Sequence, residues 1–204
     1  MNKLSIAIIG SGALVAFGAH AASRTDTAAA VAECVVDNDL RDVRALLNTL
    51  PGSSEERRIG TKIMVFYGGC NDNKVMAGRI AWRERAEIAN AALLSRLGGS
   101  KFDAASPPPR DRWALSAASI KLAGYNYDTG SVSMRQFGDC VVAIAPAAAL
   151  RLAQSQRGSG EEAAAVSALA PTLNDCIAPG RNIKLRRADV RLIVAEPLYH
   201  MVSK

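Results

Sequence analysis

Residues 33–56 read ECVVDNDLRDVRALLNTLPGSSEE, and residues 139–162 read DCVVAIAPAAALRLAQSQRGSGEE. An offset of 106 positions superposes them without a gap. Cys34 then falls on Cys140 and Cys70 on Cys176, so both cysteine intervals are 36 residues. Val35-Val36 meets Val141-Val142, Leu46 meets Leu152, Gly52-Ser53 meets Gly158-Ser159, and Glu55-Glu56 meets Glu161-Glu162. With Arg85 on Arg191 and Ala89 on Ala195, the offset makes 11 identities. Equal cysteine intervals with aligned turn residues predict an internal duplication.

The aligned residues are helix punctuation. Ser53 with Glu56 and Ser159 with Glu162 have the spacing of a capping box, in which the serine accepts from an early N–H and the glutamate reaches back. The preceding glycines suit a turn out of the helix before. Asp39 before Leu40 and Pro146 opposite Leu40 mark one helix start with two different residues. Each unit therefore reads as four helices, at about 26–37, 40–50, 54–70 and 78–96, then 131–143, 146–156, 160–176 and 184–202. Val36, Leu40, Val43, Leu47 and Leu50 recur at helical spacing, as do Ile59, Ile63, Phe66 and Cys70, and Leu192, Ala195, Tyr199 and Val202. Pro171 and Pro197 predict a kink or an early end in their helices.

Between the units, GGSKFDAASPPPRDR reads as an exposed linker favouring polyproline II. After it, RDRWALSAASIKLAG predicts a short helix with Trp113, Ala117 and Ile120 on one face and Gly124 at its end.

The N-terminus has a different character. Lys3 precedes a 14-residue apolar run, LSIAIIGSGALVAF, and Ala19-His20-Ala21 offers a small-x-small cleavage pattern. This is the form of a secretory signal peptide, short for a membrane span. The expected organisation is a leader at 1–21, a helical unit at 22–97, a linker with a short helix at 98–130 and a second unit at 131–204. Removing the leader leaves 183 residues with 24 basic against 19 acidic side chains, or +5. No later stretch has the apolar length of a transmembrane segment, so the mature chain is expected to be soluble and periplasmic or secreted. Aromatic residues are 5% of the chain while alanine is abundant, which favours helices over sheet and argues against a stacking platform for nucleic acid.

The fold class expected is all-α: two divergent tandem four-helix units, each stapled by one disulfide. Four cysteines in an exported chain read as two disulfides. The repeat selects Cys34 with Cys70 and Cys140 with Cys176. Closing a 36-residue loop stabilises by about 4 kcal/mol in the chain-entropy account.

Catalytic signals are sparse. His200 is the sole histidine after the leader and sits near the C-terminus, a position suited to packing or surface. The cysteines lack the close spacing of redox catalysis, and no ligand cluster points to a metal or another cofactor. Glu55, Glu56, Glu161 and Glu162 raise the alternative of a carboxylate-dependent peptidoglycan hydrolase, although capping and helix-dipole roles explain them too. Arg57-Arg58, Arg83 with Arg85, and Arg186 beside Arg187 add basic clusters. Lys184, Arg187 and Arg191 share a helical face at spacings of 3 and 4, the candidate site for an anionic envelope component such as lipid headgroups or lipopolysaccharide. The functional expectation is a non-catalytic binding or scaffold module of the cell envelope, with an envelope protein or an anionic component as partner.

Overall fold

The computed structural model describes residues 24–66, 68–71, 81–98, 102–122, 124, 127–177 and 185–203. The expected leader and Lys184 lie outside them. Nine α-helices are present and no strand, among the described residues. They are α1 (Arg24–Asn38), α2 (Leu40–Leu47), α3 (Ser54–Phe66), α4 (Trp82–Leu97), α5 (Ala117–Leu122), α6 (Thr129–Ile144), α7 (Pro146–Gln154), α8 (Gly160–Cys176) and α9 (Arg187–Val202).

Local chemistry sets their starts. The Asp39 carboxylate accepts from the N–H of Arg41 at 2.8 Å and of Asp42 at 3.0 Å, opening α2. The matching helix, α7, begins on Pro146 instead. Ser53 Oγ accepts from Glu56 N–H, and Ser159 Oγ from Glu162 N–H, both at 3.1 Å. The two glutamates reach back to the N–H of Gly52 and Gly158. Those glycines turn the chain at φ of 78° and 74°, where a side chain would be strained.

Two central helices organise the packing. Asp189 to Met201 of α9 and Arg85 to Leu93 of α4 are buried without interruption, the signature of helices enclosed on every side. These two make the most extensive helix contact among the described residues. Arg83 meets Asp189 near their starts and Arg96 donates to the Ser203 carbonyl near their ends, so they run side by side in the same direction. Helix α1 covers α4 and α6 covers α9. The pairs α2–α3 and α7–α8 flank this centre, and one hydrophobic core runs through both halves. Helix α6 approaches α9 at Gly138, where a Cβ would stand 2.1 Å from the Ile193 carbonyl oxygen.

Several expectations change. Helix α3 stops at Phe66, and Cys70 sits in a 3-10 turn, Gly68–Asn71, because Gly68 and Gly69 are poor helix formers. Phe66 is exposed rather than on the buried stripe. Of the kink or early end expected at Pro171 and Pro197, the early end does not occur: α8 and α9 continue through both. Burial of Leu169 and Leu173 on one and of the whole middle of the other supports them across the lost backbone bond.

The segment expected as an exposed linker is not simply exposed among the described residues. Phe102 and Ala104 pack against the core, and Trp113 is buried with its indole N–H on the Pro108 carbonyl at 3.1 Å. The expected short helix is reduced to α5, which begins four residues after Trp113 and buries none of its residues. Leu115 N–H then donates to Asp139 at 2.8 Å, tying this segment to α6.

Candidate functional site

Glu56, Glu162 and Arg191, among the residues expected to do chemistry, are engaged in buried ion pairs, while Glu55, Glu161 and Arg187 stay exposed. Arg85, on α4, is 2% exposed. Its Nη1 donates to Glu56 at 2.8 Å, to the Leu46 carbonyl at 3.0 Å and to Thr49 Oγ1 at 3.0 Å. Its Nη2 donates to the carbonyls of Leu47 and Thr49. Arg191, on α9, repeats this pattern at the 106-residue offset: Glu162 at 2.9 Å, the carbonyls of Ala153 and Ser155, and Ser155 Oγ. Each arginine thereby satisfies the carbonyl ends of the helix before its capping box and the capping glutamate itself. A planar guanidinium with five donors suits that task, and a lysine does not.

Arg85 has a further partner. Glu196 on α9 takes a bidentate pair from its Nε and Nη2, at 2.8 and 2.7 Å. Glu196 also accepts from Arg135 of α6 at 2.6 Å, and Arg135 in turn holds Asp139 at 2.8 Å and the Trp113 carbonyl at 3.1 Å. Glu56, Arg85, Glu196, Arg135 and Asp139 thus form a buried chain of alternating charge through both halves. Burial works against charge on Arg85, but Glu196 and then Glu56 override it and hold the guanidinium above its usual range. Burial likewise opposes ionisation of Glu196, yet Arg85 and Arg135 keep its carboxyl well below the usual range.

His200 lies against this chain, buried, with Nε2 3.1 Å from the Leu47 carbonyl. A carbonyl only accepts, so Nε2 carries the proton. Burial lowers the imidazole pKa, with Glu196 opposing. The histidine is a packed crossing point between α9 and α2.

The basic face expected at Lys184, Arg187 and Arg191 does not form as read. Arg191 is 1% exposed and fully engaged, so it offers nothing to a ligand. Arg187 is exposed, and Lys184 lies outside the described residues. Charge at regular spacing predicts a solvated face, whereas α9 is buried on all sides from Asp189 to Met201. The signal that marked Arg85, Arg191, Glu56 and Glu162 as structural was available: all four are identities of the repeat.

The cysteines pair as expected, Cys34 with Cys70 and Cys140 with Cys176. Of the acidic doublets, Glu56 and Glu162 are buried and paired, and Glu55 is exposed with Arg58 at 2.7 Å. That pairing lowers the Glu55 pKa. Among the described residues no group of three or more His, Cys, Asp or Glu is placed to hold a metal ion. A cleft of about 370 Å³ opens between α7 and α8, lined by Arg151, Gln154, Glu161, Ala164 and Ala168. No single helix among the described residues is long and apolar enough to cross a membrane. No protein-family model matches the chain, and no curated protein or solved structure matches it significantly.

Proposed function

We propose that this chain is an exported binding or scaffold module of the cell envelope, built from two related four-helix units in tandem, each with its own disulfide. The observation that carries the reading is the employment of its catalytic-type side chains. Glu56 and Glu162 each cap a helix and neutralise a buried arginine, and His200 hydrogen-bonds a backbone carbonyl. A general acid or nucleophile has to meet substrate, and a carboxylate locked in this way does not. Matching contacts at Arg85 and Arg191 support descent of both units from one ancestor, with unit bounds near 22–97 and 131–204 joined by residues 98–130.

The test is turnover of purified peptidoglycan by protein recovered from an exporting host. No release of soluble fragments is expected. Release that disappears in Glu55→Gln or Glu161→Gln overturns the reading in favour of a carboxylate hydrolase. The intact mass of the exported protein is expected to begin at Ala22; a mass that retains residues 1–21 removes the basis for export.

A further inference from the structure

We propose that the outer edge of the α2–α3 pair is a docking face for a bilayer bearing anionic phospholipid headgroups; this rests on the reading of the chain as a binding module and names its partner. Val65 and Phe66, side by side at the end of α3, are 71% and 70% exposed. Lys62, one turn earlier, binds Asp42 at 2.5 Å, and Arg41 approaches the same carboxylate at 3.7 Å. Arg58, a further turn back, is exposed and pairs with Glu55. Arg44, one turn along α2 from Arg41, is exposed and makes no ion pair among the described residues. Arg41, Arg44, Arg58 and Lys62 thus stand against Asp42 and Glu55, four positive charges to two negative. Asp39 accepts from the first N–H groups of α2, and counting it as well leaves the edge positive. Among the described elements α3 packs chiefly on α2 and on the 3-10 turn, and the exposure of Val65 and Phe66 places them on its outer side.

The other half argues that these side chains are not required by the fold. At the same offset, Ala147, Leu150, Ala164 and Ala168 replace Arg41, Arg44, Arg58 and Lys62, and Pro171 and the buried Thr172 replace Val65 and Phe66. The α7–α8 pair is built without any of the six. Cations gathered around an exposed aromatic and an aliphatic side chain match the chemistry of interfacial attachment: phosphates draw the cations while the apolar pair enters between headgroups. A fluid bilayer needs no shaped recess in the protein, only cations and apolar side chains exposed together, which this edge presents.

The exported protein is sedimented with phosphatidylglycerol/phosphatidylethanolamine vesicles and with phosphatidylcholine vesicles, at low and high salt. It is expected to pellet with the anionic vesicles only, and less at high salt. Val65→Ser with Phe66→Ser, and separately Arg41→Gln with Arg44→Gln, are each expected to lower partitioning about tenfold. These side chains are exposed, so the variants retain the helical fold, checked by circular dichroism and disulfide mapping. Arg110→Gln with Arg112→Gln removes two exposed cations elsewhere and is expected to change partitioning less than about twofold. Wild-type protein that stays in solution, edge variants that pellet like wild type, or an equal loss in the Arg110/Arg112 variant overturns the proposal. Peptidoglycan turnover on the same preparation keeps the two readings apart. Failure to bind vesicles without turnover removes the lipid face alone, whereas glutamate-dependent turnover removes the module reading.

Discussion

Arg85 and Arg191 occupy one position in two halves of the molecule, and their ionisation is pushed in opposite directions. Both lie buried among helix-end carbonyls and one capping glutamate. Arg85 also receives Glu196, which holds its pKa up, while burial pulls the Arg191 pKa down against Glu162 and the more distant Glu87. The residue 106 places before Glu196 is Asn90, which brings no charge. One substitution in the partner helix therefore decides whether the same arginine is the end of a local cap or the middle of a chain through both halves. The shared part of the motif joins residues 29 apart in sequence, and the unshared part joins α4 to α9.

The largest effect should come from breaking the unshared part. Glu196→Gln leaves Arg85 and Arg135 short of a counter-charge and is expected to cost about 3–5 kcal/mol, near the upper end. Glu162→Gln strands Arg191 alone and belongs near the lower end. Urea unfolding at neutral pH with disulfides intact measures both, and equal losses would dissolve the distinction between the halves.

The staples predict symmetry instead. Replacing Cys34 and Cys70 by serine, or Cys140 and Cys176, opens loops of equal 36-residue separation, so each pair is expected to cost about 4 kcal/mol. Unequal midpoints would show that one half leans more heavily on its bridge.

The glycine turns should differ by a smaller margin. Gly158→Ala meets open space and suffers only its positive φ, about 1 kcal/mol. Gly52→Ala has the same strain and would also bring its Cβ to 2.3 Å from the Asp128 backbone nitrogen, for a total of about 2–3 kcal/mol. Thermal unfolding of the two variants compares them directly.

The smallest effect is a pH slope. The folded-state pKa of His200 is lowered, so below the ordinary value of 6.5 the unfolded chain binds the extra proton first. Stability is full above that value and declines as pH falls through it, by at most about 1.4 kcal/mol per pH unit for one proton. Glu196, whose pKa is lowered, holds its contribution through this window and loses it only at much lower pH. His200→Leu, which copies Leu94 at the matching position, is expected to flatten the decline between neutral and mildly acidic pH.

Local signals in the sequence were legible because their partners are close by. The Ser53–Glu56 and Ser159–Glu162 boxes, Pro146 at a helix start and the paired cysteine intervals all matched helices and bridges as read. Gly68-Gly69 also ended α3 early by local chemistry, although the apolar spacing continues to Cys70. Arg85 and Arg191 were misread because a charged residue is by default a solvated one. Their carboxylates lie 29 residues away within each half, and Glu196 lies 111 away from Arg85. Trp113 lies outside α5 for a mixed reason: its indole N–H is taken by Pro108 nearby, while its carbonyl is held by Arg135 of α6, 22 residues away.

The sequence by itself determined the helical class, the punctuation of the helices and the cysteine pairing, since capping and propensity act locally and the cysteine interval recurs. Tertiary structure alone decided that α4 and α9 lie side by side in the centre and that their charges face inward. That outcome depends on which helices enclose which: a guanidinium is buried at tolerable cost only where carboxylates and carbonyl ends from other helices converge on it.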